Sequence, residues 1–351
     1  MKKIFKLLPL VIVASLTACE REQTKYLYED KLVLFGTPAI KIEMKVENNS
    51  NGSKAFNDVI NTLKMVDKYA DTKERDVTNV YTLNHTNAKV EISEDFYYML
   101  KRAKELQETV RYFNPLIGSL SNKWKEALNP SNNSGLEPRA LTDEEIQEEL
   151  VKINSSELII EETEQGWFAQ RTGEAQIDLG AFAKGYALDK CIETLNNRTG
   201  DTKDYLFNLG NSSILAGYNS ERIRVWKQPD YEKGVYIVGV TNIANKRNLR
   251  IYNSIISTSG VSEQGVKIGD QTYSHIINPE TGSAINNYDQ VTVISGDGWS
   301  FGALGDVLST SLMMSSSEDE IKAAEKLFKV KVLAIKDGNI KYQNDGIFLY
   351  F

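Results

Sequence analysis

The sequence predicts an α+β fold, and three observations carry that expectation. Helical periodicity falls into separate blocks, each opened by a recognisable cap or turn. From Leu158 onward short strands dominate, broken by Gly-containing turns such as Gln165-Gly166, Thr172-Gly173 and Gly269-Asp270. Strands and helices are segregated rather than regularly alternating, which argues against a βαβ architecture.

The elements follow in order. Leu32 to Val46 reads as a strand pair or one long strand, interrupted at Gly36-Thr37-Pro38. Phe56, Val59, Ile60 and Leu63 recur at helical spacing and predict an amphipathic helix to about Tyr69. Thr72 to Asn84 reads as a polar loop. Ser93-Glu94-Asp95 caps a second helix to about Arg111, and residues 129–135 form a surface loop. Thr142-Asp143-Glu144-Glu145 is a capping box, with Ile146, Leu150 and Ile153 on one face of the helix it opens. Helices are also predicted over about Ala181–Asn196 and Phe301–Ser315, and a third ends near Phe328 after Ser317-Glu318-Asp319-Glu320. Strands are predicted over Ile251–Ile256 and Gln271–Ile277. A closing hairpin turns at Asp337-Gly338-Asn339.

Composition narrows the function classes. Hydrophobic residues make up 41% of the 351, and the net charge is −7 with lysines interspersed among acids. No basic stripe with interleaved aromatics appears, so nucleic acid is not an expected partner. The chain opens with Lys2, Lys3 and Lys6, then an apolar run from Leu7 to Leu16. That run is too short for a permanent span, which needs ~20 apolar residues. It reads as a secretory signal. Leu16-Thr17-Ala18-Cys19 resembles the bacterial lipobox. The resemblance implies cleavage before Cys19, lipidation of its thiol and an extracytoplasmic, membrane-anchored protein; a plain secretory signal is the alternative. The expected organisation is a signal over 1–18, a tether over 19–31 and one domain over 32–351. Cys191 is then the only other cysteine, so no internal disulfide can form, and it reads as a small buried hydrophobe in a helix.

Four segments carry the chemistry. Tyr273-Ser274-His275-Ile276-Ile277-Asn278-Pro279-Glu280-Thr281-Gly282 holds one of two histidines at a strand end leading into a turn. Such a histidine either moves protons near neutral pH or props the turn. Ile177-Asp178-Leu179-Gly180-Ala181-Phe182-Ala183-Lys184-Gly185 runs from a strand end through a Gly turn into a helix. Free amides and a lysine there suit a phosphate, although plain architecture reads the same way. Asp306 and Thr310 are i and i+4 on one helix face, and their oxygens form a partial shell for Mg²⁺. The alternative is a helix-start acid and a threonine bonded to its own backbone. Ser257-Thr258-Ser259-Gly260 reads as a hydroxyl-rich turn able to line a phosphate or ribose. His85 sits in a polar loop and reads as surface.

In chain order these segments, with Asn208-Leu209-Gly210 between them, resemble the FAD:protein FMN transferase (ApbE) family over about Leu34 to Leu312. The Lys-Gly-Tyr, His-Ile-x-x-Pro-x-Thr-Gly and Asp-x-x-x-Thr motifs are specific. Phe35-Gly36-Thr37, Leu83-Asn84 and Phe113-Asn114-Pro115 are weaker echoes. The resemblance implies antiparallel or mixed sheets with packed helices in two intimate lobes around a flavin cleft. It implies an exported, Mg²⁺-dependent enzyme that moves FMN from FAD to a Thr or Ser hydroxyl of a partner and releases AMP. The partner would be a flavoprotein subunit of a membrane electron-transport complex of the Rnf or Nqr kind.

Carried over residue by residue, Asp306, Thr310 and a backbone carbonyl at Ala181 would hold Mg²⁺. His275 would be the base. Lys184, Gly185, Asp189, Gly210, Thr258, Ser259, Gly260 and Ile276 would line the FAD site. Two positions depart from the family pattern: Asn211 stands where a second glycine is common, and Gly305 where alanine is common. Tyr69, Tyr81 or neither would stack on the flavin. Two other functions compete. An FAD pyrophosphatase would use the same site with water as acceptor. A flavin-binding lipoprotein would need no base beside a metal pair.

Overall fold

The computed structural model describes residues 26–46, 49–130, 136–196, 202–218, 236–239, 248–251, 254–261, 265–295, 301–347 and 349–350. The signal-like segment 1–18, Cys19, residues 20–25 and the 131–135 part of the surface loop lie outside the described residues.

β1 (Tyr26–Leu34) and β2 (Thr37–Val46) form an antiparallel hairpin. Its turn residues Phe35 and Gly36 are both left-handed, with φ of 52° and 66°. The Phe35 amide donates to Asp67 Oδ1 at 2.5 Å. The tether expectation is corrected here. Tyr26 to Lys31 belong to β1, because the ten-residue β2 offers them partners from Val46 to Lys41.

α1 (Asn49–Ala70) buries Phe56, Val59, Ile60, Leu63 and Val66, the expected face. The 72–84 stretch is not all loop. α2 (Val80–Asn84) starts where the Asn79 side chain accepts the Thr82 amide, with Thr82 Oγ1 accepting the Asn79 amide in return. β3 (Val90–Ile92) leads to α3 (Glu94–Thr109), capped by Ser93 as read from the sequence. α4 (Gly118–Leu128) escaped the sequence reading, although its buried Leu120, Trp124 and Leu128 are four apart. α5 (Asp143–Asn154) opens on the Thr142/Glu145 capping box. β4 (Glu157–Thr163) and β5 (Gly166–Thr172) join β3 in a three-stranded sheet, order β3-β5-β4.

α6 (Ala183–Asn196) precedes β6 (Thr202–Leu209) and β7 (Ser213–Tyr218). β8 (Tyr236–Gly239) and β9 (Asn248–Ile251) are followed by β10 (Ser254–Gly260). β11 (Val266–Ile268) and β12 (Gln271–Tyr273) make a small hairpin. β13 (Gln290–Ser295), α7 (Gly302–Leu312), α8 (Glu318–Phe328), β14 (Val330–Lys336), β15 (Asn339–Gln343) and β16 (Leu349–Tyr350) complete the order. The main sheet has eight strands in the order β1-β2-β6-β7-β10-β13-β14-β15, and β16-β9-β8 form another small sheet. Every described pairing is antiparallel, so the α+β expectation holds in its antiparallel form.

Strand alternation gives the main sheet two apolar faces. Ile40, Ile42, Met44, Phe207, Leu215, Ile255, Val291 and Val293 join the large core that includes α1, α6 and α7. Ile214, Ala216, Ile256, Ile294, Leu333 and Ile335 form a smaller cluster closed by Ile347. Within the helical layer α6 and α7 cross at Gly185 and Gly302. A Cβ on Gly185 would lie 1.9 Å from the Gly302 carbonyl oxygen, and one on Gly302 would lie 2.1 Å from the Gly185 carbonyl oxygen. Only hydrogen fits at either position, and backbone cannot swing aside as a side chain can.

Gly185→Ala is therefore expected to lower unfolding free energy by about 2–3 kcal/mol, the upper range for forced overpacking. Urea denaturation measures it; a midpoint equal to that of the parent chain would mean the helices do not meet this closely.

Candidate functional site

The strand ends and helix starts around this crossing surround one cavity of about 660 Å³. Its lining draws on the β1–β2 turn (Gly36, Thr37), residues 112–121, the Asp178–Ala181 turn, Lys184, the β6–β7 turn, the end of β10, the His275 segment and α7. Of the residues expected from the sequence, His275, Lys184, Gly210, Thr258, Ser259, Gly260, Ile276, Ala181, Asp306 and Thr310 all line it. Gly185 and Asp189 do not, and both are corrected: they belong to the helix crossing behind the cavity.

The crossing is held by an exchange of carboxylates. Asp189 on α6 accepts the Gly302 and Ala303 amides at 2.6 and 2.9 Å, capping the start of α7. Asp306 on α7 accepts the Gly185 amide at 2.6 Å near the start of α6. Each helix thus satisfies amides that the other leaves without an intrahelical partner. The expected phosphate seat at the α6 N-terminus is accordingly taken by an internal carboxylate. Gly185 N–H is also diverted from the Ala181 carbonyl, the acceptor that a continuous helix would give it.

Asp306 is buried at the edge of the cavity. Its oxygens also accept the Ser213 hydroxyl, at 2.8 and 3.0 Å. Burial pushes its carboxyl up, while the Ser257 and Ser213 hydroxyls, the Lys184 charge and the Gly185 amide pull it back. Ser257 Oγ lies close enough to act on Asp306, yet it makes no well-aligned hydrogen bond. Thr310 Oγ1 donates to the Asp306 backbone carbonyl at 3.0 Å and meets Ser259 Oγ at 3.0 Å. With its proton spent on the backbone, the hydroxyl meets Ser259 as an acceptor and keeps a further lone pair.

Ser257 to Gly260 is not a turn. It is the second half of β10, with Thr258, Ser259 and Gly260 opposite Thr292, Val291 and Gln290 of β13. The Thr258 amide is spent on the Ser212 carbonyl. What reaches the cavity is hydroxyl rather than free amide. Period-2 alternation sets Ser257 and Ser259 on the α7 side, where Ser259 Oγ also meets Ser309 Oγ at 2.9 Å. Lys184 Nζ donates to Ser212 Oγ at 2.7 Å.

The β6–β7 turn explains one departure from the expected pattern. Gly210 and Asn211 are both left-handed, at φ 73° and 63°. Asparagine is among the few residues with side chains that tolerate that region. Asn208 Oδ1 accepts the Asn211 amide at 2.7 Å and steadies it.

His275 is not at a strand end. β12 stops at Tyr273, and Ser274 Oγ accepts the Ile276 amide at 3.0 Å, a local bond that competes with a ladder. Ser274 is buried and its hydroxyl also binds Asn286; Ile276 and Ile277 are buried too. His275 between them is exposed and lines the cavity. Trp124 Nε1 donates to the Gly282 carbonyl at 2.8 Å and anchors the following turn. The other histidine, His85, is exposed and stacks on Tyr81 at 3.9 Å, away from the lining. Tyr69 stacks on Phe96 at 5.1 Å. Neither Tyr69 nor Tyr81 lines the cavity.

Sequence reasoning missed the residues that aim the Asp178–Ala181 turn. Asn84 clasps Ile177 from both sides, accepting its amide at 2.7 Å and donating to its carbonyl at 2.9 Å. The Arg171 guanidinium is buried against the Leu83, Gly173 and Ala175 carbonyls. Burial lowers its pKa. Leu83-Asn84 had appeared only as a faint motif, and nothing local marked Arg171. Tyr112, also in the lining, gave no signal either. Among the described residues no three His, Cys, Asp or Glu side chains converge on a metal position. A cation here would rest on one carboxylate with hydroxyl and carbonyl oxygens.

Comparison with known proteins agrees with this geometry. The sequence profile described as the ApbE family matches residues 36–334. An FAD:protein FMN transferase of Klebsiella pneumoniae (strain 342) is 27% identical over 293 residues, 81% of each chain. One from Rhodobacter capsulatus is 32% identical over 163 residues, 46% of this chain and 28% of that one. The crystal structure of the ApbE protein from Thermotoga maritima superposes with a TM-score of 0.69 at 20% identity, covering 91% of this chain and 97% of that one. The flavin transferase ApbE from Vibrio cholerae gives 0.62 at 22% identity, covering 93% and 97%. At those identities the structures speak for the fold.

The Asp189 cap carries a pH signature. Burial, only partly offset by the Ala303 and Gly302 amides, pushes its carboxyl up to about 6 from 3.8. The folded chain then binds more protons than the unfolded one between those values, so its contribution to stability falls as pH rises from about 4 through 6. The span corresponds to roughly 3 kcal/mol. Asp189→Asn keeps an acceptor oxygen without the titration. Urea unfolding at pH 4 to 7 should show the difference between parent and variant changing over that window; a constant difference would refute the buried carboxyl's shift.

Proposed function

This chain belongs to the ApbE family, and we propose that it transfers FMN from FAD to a hydroxyl of a partner protein, releasing AMP. The observation that carries the reading is convergence: His275, Lys184 and the Asp306/Thr310/Ala181 oxygens come from separate segments and line one cavity. The names of the relatives support it.

The acceptor brings its own nucleophile, so the chain needs a base and a way to hold charge. The acceptor hydroxyl oxygen bonds to the FMN phosphorus, its proton passes to the His275 imidazole, and the bond from phosphorus to the AMP oxygen breaks. Lys184 is the only lysine or arginine among the described lining residues, and its ammonium faces the pyrophosphate charge. Asp178 and Asp306 also line the cavity, so a pyrophosphate there meets two carboxylates against one lysine. An added cation resolves that imbalance. The residues fit one: Asp306 has carboxylate lone pairs beyond those used by Gly185 and Ser213, Thr310 has its hydroxyl, and Ala181 has a carbonyl relieved of its helical donor. Mg²⁺ bound there would draw charge from the pyrophosphate and make AMP a better leaving group.

The exposure of His275 favours one second reading, in which water replaces the acceptor and FAD is hydrolysed to FMN and AMP. The same proposal keeps Cys19 as a lipid anchor and places the acceptor outside the cytoplasm, as an Rnf- or Nqr-like subunit. It rests on the lipobox-like Leu16-Thr17-Ala18-Cys19. No described helix is long and apolar enough to cross a membrane.

Mass spectrometry of a candidate acceptor incubated with the chain, FAD and Mg²⁺, with AMP assayed in parallel, tests the reaction. A covalent FMN adduct on Thr or Ser is expected; AMP and free FMN alone would establish hydrolysis instead. His275→Ala should keep FAD binding and lose transfer by ~10²–10⁴-fold, the usual contribution of a general base. Asp306→Ala should abolish both activity and its Mg²⁺ dependence. Transfer at the parental rate in either variant would remove that residue from its role.

A further inference from the structure

Tyr112 lines the cavity in a backbone conformation that bulky side chains rarely adopt, with φ 63°. Such strain persists only where the surroundings over-determine it. Here they do. The Arg111 carbonyl accepts the Ser311 hydroxyl from α7, the helix that carries Asp306 and Thr310. The Arg111 guanidinium makes a two-pronged ion pair with Glu280, both bonds at 3.0 Å, and a third contact with Glu320 at 3.5 Å. Glu280 lies five residues after His275, so this pair joins the wall bearing Tyr112 to the segment bearing His275. The guanidinium carbon also sits 4.4 Å from the centre of the Tyr112 ring. One ring face is therefore covered by a held cation.

We infer that Tyr112 offers its other face to a planar ring of the bound dinucleotide, and that the Arg111–Glu280 pair is the positioning contact that holds it there. This rests on the FAD reading above. Adenine and isoalloxazine share the required chemistry, a flat π-system. A bidentate Arg–carboxylate pair with a stacked guanidinium is a rigid arrangement that lysine could not reproduce. Tyr112 then sets affinity for the substrate, while Arg111 acts through Tyr112.

The test titrates the full chain, with Mg²⁺ and no acceptor, separately with FAD, FMN and AMP. Tyr112→Asn removes the ring but suits a left-handed backbone, so the fold is retained; a thermal melt checks this. It should weaken FAD by about 5- to 150-fold, the range for loss of one stacked ring. It should also weaken only one of FMN and AMP, which identifies the ring. Tyr112→Phe should restore the affinity, and Tyr112→Gly, free of backbone strain, should behave as Tyr112→Asn. Arg111→Lys should weaken FAD by a smaller factor, about two- to fivefold, and should cost nothing further in the Tyr112→Asn background. Parental FAD affinity in Tyr112→Asn overturns the stacking role. Parental affinity in Arg111→Lys overturns the positioning role. A parent chain that binds no FAD overturns the flavin reading itself, and the two failures are thereby told apart.

Discussion

The contact on which the rest of the molecule depends is the crossing of α6 and α7 at Gly185 and Gly302. Without side chains at those two points, backbone meets backbone, and each helix start comes within reach of the other helix's carboxylate. A capped helix end is worth typically ~1 kcal/mol, and two are satisfied at one place. Burying two carboxylates is costly, and the amides and hydroxyls around them offset that cost. The arrangement is self-consistent: separating the helices would take the Gly302 and Ala303 amides from Asp189 and the Gly185 amide from Asp306, leaving Asp306 the Ser213 hydroxyl.

The same crossing shapes the chemistry. Asp306 is both a structural cap and the carboxylate at the cavity floor, so its side chain has little freedom to turn away. By taking the Gly185 amide it also frees the Ala181 carbonyl on the adjoining turn. The antiparallel sheet supplies the opposite wall: β10 runs beneath α7 and directs Ser257 and Ser259 toward it. A floor of hydroxyls, one deep carboxylate and one lysine is well suited to oxygen-rich anions held through a hard cation. The outer rim is different. There Arg111 pairs with Glu280 and Glu320, tying the segment before Tyr112 to the turn after His275 and to the start of α8.

Much of this was legible in the residue order. The capping signals at Ser93, Thr142 and Ser317 each mark a helix start in the structure. Short motifs, read in sequence, pointed to residues that do line one cavity. The failures have common causes. Ser257 to Gly260 has turn-like composition, yet β13 pairs with it and tertiary pairing overrides local preference. The strand through His275 was cut short because a buried serine bonds its own neighbour. Asp189 matched a motif position, but that position serves the helix crossing rather than the cavity.

By itself, then, the sequence determined the α+β class, most helix starts, and the identity of the oxygen and imidazole groups, because caps and periodicity are local and motif residues are chemically distinctive. Only the tertiary structure decided which of those groups face the cavity and which face each other. Asn84 holding Ile177, Arg171 reaching the Leu83 carbonyl and Arg111 joining Glu280 link residues 93, 88 and 169 positions apart. Nothing in a local window encodes such meetings; the packing of the sheet and helices brings them about.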